Sequence, residues 1–134
     1  MCSSDLPFWF YRGNDALDID KKRLGERVFK QYPANSFLKK GIKILFSSDS
    51  PVTIDYDPLK GIQRACFNDS TKESISLIEA LKAFQCGSYN DAPDFFKIGD
   101  QADFIVLDGD FTFNDLPKLE MFYINGEPVV KNNL

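Results

Sequence analysis

The chain has 134 residues, of which 43% are hydrophobic and 13 are phenylalanine, and 20 acidic against 16 basic residues give it a formal charge of −4. This length allows one real core, while no apolar run approaches the ~20 residues that a membrane-spanning helix needs. The acidic balance disfavours nucleic-acid binding, and the absence of histidine disfavours a self-contained zinc site.

Three widely spaced cysteines, Cys2, Cys66 and Cys86, form no Cys-x-x-Cys pair. An odd number at such spacing is typical of reduced, mostly structural thiols. The first residues have neither a basic segment nor the apolar stretch of a secretory signal. Together these features predict a cytoplasmic protein.

The first predicted elements are two helices on either side of Pro33. Apolar residues recur within residues 15–32 at intervals of seven and four, which predicts a helix with one buried stripe. Proline disfavours helical backbone in the residue before it, so this helix should end there. Asn35 or Ser36 could cap a second, short helix that Gly41 ends.

A short apolar strand is predicted over residues 42–46, and one carboxylate, Asp49, follows its carboxyl end. The nearly continuous apolar run favours a strand covered on both faces, as in a parallel sheet. Enzymes of the α/β class place their chemistry at such strand ends. Position alone leaves Asp49 open to two interpretations, a catalytic or metal-binding carboxylate and a turn residue. Ser47 and Ser48 have no base nearby to activate them, so backbone hydrogen bonding is expected of them.

Two further helices carry recognisable start signals. Asp57-Pro58 supplies a cap followed by a proline at the first helical position, and Ser76 with Glu79 forms a capping box, which makes Glu79 a structural residue. The buried stripes expected from helical spacing are Leu59, Ile62 and Cys66 in the first of these helices and Leu77, Leu81 and Phe84 in the second, which should end near Gly87.

The last part of the chain changes from helical to extended periodicity. Residues 104–107 predict a strand flanked by Asp103 and Asp108, which we expect to be edge or turn residues. Residues 122–130 predict a hairpin around Asn125-Gly126, a pair that type I′ turns prefer. We therefore place one domain at residues 1–96 and a second at 97–134.

Several motifs occur in a fixed order along residues 20–131. They are Arg23-Leu-Gly-Glu26-Arg27, Tyr32-Pro33 with Ser36-Phe37-Leu38, Gly41-Ile-Lys-Ile, Phe46-Ser-Ser-Asp49-Ser-Pro51-Val52, Asp57-Pro58-Leu59-Lys60-Gly61-Ile62-Gln63, Ser76-Leu-Ile-Glu79-Ala80-Leu81 and Gly99-Asp-Gln-Ala102-Asp103-Phe-Ile-Val-Leu107-Asp108. In this order they resemble the C-terminal segment of amidohydrolase family 3. That family consists of metal-dependent hydrolases with a distorted (β/α)8 barrel and a small β-sandwich.

The resemblance implies an α/β fold in which residues 1–96 are the C-terminal part of the barrel, about strands 7 and 8 with their helices, and 97–134 are strands of the β-sandwich. It implies that residues 42–46 are the eighth strand and that Asp49 is the family's strand-8 aspartate, with both a catalytic and a metal-contacting role. The implied cofactor is a divalent metal, zinc by expectation, and the implied substrates are small molecules with amide, cyclic amide or N-acyl C–N bonds. Ser50 departs from the tryptophan common at this position in relatives, so an aromatic wall of the substrate pocket is not expected from it.

The missing histidines set the limits of this resemblance. A (β/α)8 barrel needs about 250 residues, and the family's histidine ligands lie on earlier strands. We therefore expect a fragment that is inactive alone and that forms a homo-oligomer or associates with the missing N-terminal part. Its aromatic residues 8–11 would be core residues that pack on the missing elements in the parent protein. The alternative is a non-catalytic regulatory or interaction module derived from the same fold. Neither nucleic acid nor a membrane is an expected partner.

Overall fold

A computed structural model describes residues 4–6, 20–48, 57–67, 72–85 and 97–129 of the chain. The architecture is mixed α/β, as predicted, and it divides into two compact units, Met1–Pro93 and Asp94–Leu134. Within the described ranges, no helix is long and apolar enough to cross a membrane.

The helix predicted over residues 15–32 is interrupted in its described part. Residues 20–24 are α-helical, but Gly25 has a φ of +56° and a 3-10 helix, Gly25–Lys30, follows. A right-handed helix cannot pass through a left-handed residue, so a single helix over this range was a wrong prediction. Val28 is buried, as the apolar spacing indicated.

Helix α1, Ala34–Lys39, starts without a side-chain cap of its own. Asn35 and Ser36 were predicted as caps, yet both lie inside its first turn. The carboxylate of Glu73 takes over this role, because it accepts from the Ser36 backbone N–H at 2.9 Å and from the Ser36 hydroxyl at 2.6 Å. An acceptor from a distant loop thus satisfies one of the free N–H groups of the helix.

A parallel pair of short strands lies in the first unit. Strand β1, Ser4–Leu6, pairs with β2, Ile44–Phe46, so that Ser4 is opposite Ile44 and Leu6 is opposite Phe46. Strand β2 is shorter than the residues 42–46 predicted from the apolar run. Ile44 and Phe46 are buried on one face while Leu45 is partly exposed on the other.

Helices α2, Pro58–Cys66, and α3, Leu77–Gln85, pack against each other, and α3 also contacts β2. The buried stripe of α3 differs from the prediction. Leu77 is 39% exposed, whereas Ala80 and Ala83 are buried. Close approach of two helices favours small side chains at the contact, and hydrophobic spacing alone does not reveal which apolar positions those are.

The second unit contains an antiparallel sheet in the order β3–β4–β5, made of Phe104–Asp108, Lys118–Ile124 and Glu127–Val129. The predicted hairpin is confirmed: Asn125 and Gly126 both have positive φ, 53° and 79°, as a type I′ turn requires. The Asp103 carboxylate accepts from the Asn125 N–H at 2.7 Å. Asp103 is therefore a turn-stabilising residue, as expected.

Candidate active site

The candidate site of the sequence analysis lies at the carboxyl end of β2. The parallel register brings the ends of β1 and β2 side by side, at Leu6 and Phe46. Ser47 and Ser48 follow β2 and are partly exposed. Asp49, the predicted catalytic and metal-binding residue, lies outside the described residues. The structure therefore gives the geometry of the support beneath it.

An aromatic contact holds the last residue of β2. Phe46 is 6% exposed, and its ring meets that of Phe84 edge to face, with centroids 5.3 Å apart and planes at 68°. Such an arrangement is among the favoured ones for aromatic pairs and adds about 0.5–1.5 kcal/mol to the burial of the rings. Helix α3 thus fixes the end of the strand three positions before Asp49.

Gly61 of α2 makes room for the Phe84 ring. A Cβ atom added at Gly61 would overlap Cζ of Phe84 and would lie 3.0 Å from Cε2. Only a residue without a side chain lets the ring occupy this place. Gly61 was part of the motif that carries the family resemblance, and this packing gives a physical reason for a glycine there.

The starts of α2 and α3 are capped as predicted. The Asp57 carboxylate accepts from the Leu59 N–H at 2.9 Å, and Pro58 occupies the first turn. Glu79 accepts from the Ser76 N–H at 2.9 Å, while the Ser76 hydroxyl accepts from the Glu79 N–H at 3.3 Å. This reciprocal pattern is the capping box, so the structural role predicted for Glu79 is confirmed.

Cys66, at the end of α2, holds its thiol in the protonated form near neutral pH, which makes it a weak nucleophile. Burial, and to a smaller extent the Glu79 carboxylate, raise the pKa of its thiol from 9.0 to about 11. The thiolate is the reactive and metal-binding form, and little of it exists at pH 7. The prediction of a structural thiol agrees with this environment.

Among the described residues, no group of three or more histidine, cysteine, aspartate or glutamate side chains could hold a metal ion. The chain as a whole has no histidine. The residues described therefore do not form a zinc site by themselves, and any metal bound near Asp49 would need ligands from elsewhere.

Sequence reasoning missed the contact of Glu73 with Ser36. The two residues are far apart in the sequence, and no local motif connects them. Asn35 strengthens the same contact, because its Nδ2 donates to the carbonyl oxygen of Lys72 at 2.7 Å. These hydrogen bonds fasten the loop before α3 to the start of α1, a structural rather than a chemical role.

Comparisons with known proteins gave no match: no protein-family model, no curated protein and no solved structure was found to be similar to this chain.

Proposed function

We propose that this chain is the C-terminal part of a metal-dependent amidohydrolase that cleaves C–N bonds in amides, cyclic amides or N-acyl compounds. The observation that carries the proposal is the parallel pairing of β1 with β2 directly before Asp49. Parallel strands followed by helices are the repeating unit of (β/α)8 barrels, and in those enzymes the catalytic residues follow the carboxyl ends of the strands. The order of motifs in the sequence supports the same interpretation.

Asp49 would act in this enzyme as a general base and acid. Its carboxylate would take a proton from the attacking water and deliver it to the leaving nitrogen, a role that typically accelerates a reaction 10²- to 10⁴-fold. The metal would polarise the carbonyl group when bound. Since the chain has no histidine and its described residues hold no metal-binding group, the other ligands would, under this proposal, come from a preceding part of the protein. In keeping with that role, we propose a cytoplasmic enzyme acting on small molecules.

The decisive experiment compares two aspartate variants in the longer protein, purified with zinc and assayed on a panel of N-acyl amino acids and cyclic amides. Asp49→Asn should lower kcat by about 10²- to 10⁴-fold with the fold intact. Asp57→Asn is the matched control, because asparagine caps a helix as well as aspartate does, and it should leave kcat unchanged. A normal kcat in Asp49→Asn would make Asp49 a turn residue.

A non-catalytic interaction module is the second candidate function. The observation favouring it is the absence of histidine from the chain together with the lack of a metal-binding group among the described residues. The gene upstream distinguishes the two functions. A His-x-His pair on an early strand supports the hydrolase, and a sequence without metal-binding residues supports the module.

The chain by itself provides a second test. Under the hydrolase proposal it should bind zinc no better than a surface carboxylate does and should show no amide hydrolysis. Equilibrium dialysis against zinc followed by desalting measures this directly. Stoichiometric zinc retained through desalting, together with turnover, would show that the 134 residues form a complete enzyme and would contradict the proposal.

A further inference from the structure

Among the described residues, β3 and β5 are the outer strands of the sheet in the second unit, and their edges differ in how they are protected. Strand β5 is three residues long and has Pro128 at its centre, which offers no N–H to a further strand. Strand β3 is five residues long, has no proline, and carries an uncharged run, Phe104-Ile-Val-Leu107. Natural edge strands are usually kept short or interrupted by proline, charge or a bulge, because open edges recruit other strands. Among the described strands, β3 carries a single charge, Asp108 at its end, so its other four residues form a stretch of edge that neither charge nor proline interrupts.

The pairing registers show which backbone groups of β3 face outward. The two-residue turn makes Ile124 and Glu127 a hydrogen-bonded pair, so the backbone groups of Phe122 and Ile124 point to β5.

The alternate residues of β4, Tyr123 and Met121, therefore bond to β3, at Phe104 and Val106. Since the groups alternate along a strand, the N–H and C=O of Ile105 point away from β4.

The irregularity of this sheet does not disturb the open edge. The register shifts between Val106 and Leu107, where the extra residue, Glu120, belongs to β4. Strand β3 keeps its regular alternation, so the N–H and C=O of Leu107 face the same way as those of Ile105. Strand β3 thus presents two outward-facing residues, one on each side of Val106.

We propose that this edge binds β3 of a second copy of the chain, antiparallel and with the twofold axis at Val106. In this register Ile105 of each copy lies opposite Leu107 of the other, and each such pair exchanges both of its hydrogen bonds. The outward groups of the two residues are thereby satisfied. The interface is isologous, as closed dimers require.

The side chains favour the same register. Ile105, which is 54% exposed, would meet Leu107 of the partner on one face, and both are residue types that stabilise cross-strand pairs. Asp108 would lie opposite Phe104. A parallel, in-register pairing would instead bring the two Asp108 carboxylates together, and like charges directly opposite destabilise a sheet. Charge therefore selects the antiparallel arrangement.

The test is sedimentation equilibrium of the full chain at micromolar concentration, with two variants of one residue. The unmodified chain should be a dimer. Ile105→Pro removes an outward N–H without touching a bond to β4, and it should raise the dimer dissociation constant by about tenfold or more. Ile105→Val keeps the N–H, the branched side chain and the apolar surface, so it should dimerise like the unmodified chain.

Amide hydrogen exchange of the unmodified chain identifies the interface independently of any variant. The Ile105 and Leu107 amides should become more protected as concentration rises, while the Phe104 and Val106 amides, bonded to β4, should be protected at all concentrations. A monomer at every concentration overturns the proposal. A dimer in which the Ile105 and Leu107 amides exchange freely also overturns it. Protection of these two amides that does not depend on concentration overturns it as well, because the chain would then cover the edge itself.

Discussion

In the first unit, the described residues enclose a buried set of apolar side chains contributed by the 3-10 helix, the α-helices and β2, including Val28, Ile44, Phe46 and Ile62. In the second unit, every residue of β3, β4 and β5 is partly or largely exposed. The first unit packs side chains between layers, whereas the three strands of the second are joined by backbone hydrogen bonds and neighbouring side-chain pairs. An isolated sheet of this size is stable only when one of its faces is covered. The stability of the first unit therefore depends mainly on tertiary burial, and that of the three strands depends more on local signals such as the turn.

The largest effect should come from truncating an aromatic residue that joins the layers of the first unit. Phe84→Ala should lower the free energy of unfolding by about 3 kcal/mol, the lower end of the range for phenylalanine in a core, because the ring is partly exposed. Ile78→Ala on the same helix is the matched control, since Ile78 is 53% exposed and should lose less than about 1 kcal/mol. Ile124→Ala extends the comparison to the second unit with a similarly small loss. Urea unfolding measures all three, and equal losses would remove the contrast between the units.

Gly61→Ala should destabilise the first unit by about 1–3 kcal/mol. Alanine normally stabilises a helix by about 0.5–1 kcal/mol relative to glycine, so the sign of the change depends on the overlap with Phe84. The double variant with Phe84→Leu provides the control, because a smaller side chain should relieve the overlap. Urea unfolding of the four combinations should give a coupling free energy of about 1 kcal/mol or more. Additive changes would show that Gly61 and Phe84 do not constrain each other.

The capping box should have a smaller, local effect. Glu79→Ala should cost about 1 kcal/mol, because the Ser76 N–H at the start of α3 loses its acceptor. Glu79→Gln retains an oxygen at that position and should cost clearly less. Amide exchange should show the loss of protection in the first turn of α3 before other parts of the unit. Similar losses in both variants would assign the effect to charge instead of capping.

The effect that is smallest at neutral pH is that of the Cys66 thiol, because it appears only as the pH rises above about 9. The pKa of Cys66 is higher in the folded chain, about 11, than its ordinary value of 9.0, so between these pH values the folded state binds more protons than the unfolded state. The contribution of this thiol to stability is present in full below pH 9 and is lost as pH rises toward 11. Urea unfolding of the chain and of Cys66→Ala across this range should show a steeper decrease for the unmodified chain. Parallel curves would mean that the thiol titrates normally.

The sequence predicted the features that depend on neighbouring residues. The Asp57 cap, the capping box at Ser76 and the Asn125-Gly126 turn all occur where expected, because each is a hydrogen-bonding pattern or a backbone preference confined to a few positions. The mixed α/β class followed in the same way from periodicity. The chemistry assigned to Asp49 stays a prediction.

Only the tertiary structure decided which partners distant segments choose. Glu73 replaces a local cap at α1, Ala80 and Ala83 are buried where Leu77 was expected, and Gly61 receives the ring of Phe84. Each outcome depends on the distance between two surfaces that are far apart in sequence, and periodicity carries no information on that distance. The open edge of β3 belongs to this second group, because a strand's sequence specifies its apolar character while the pairing of the sheet determines whether it lies inside or at the edge.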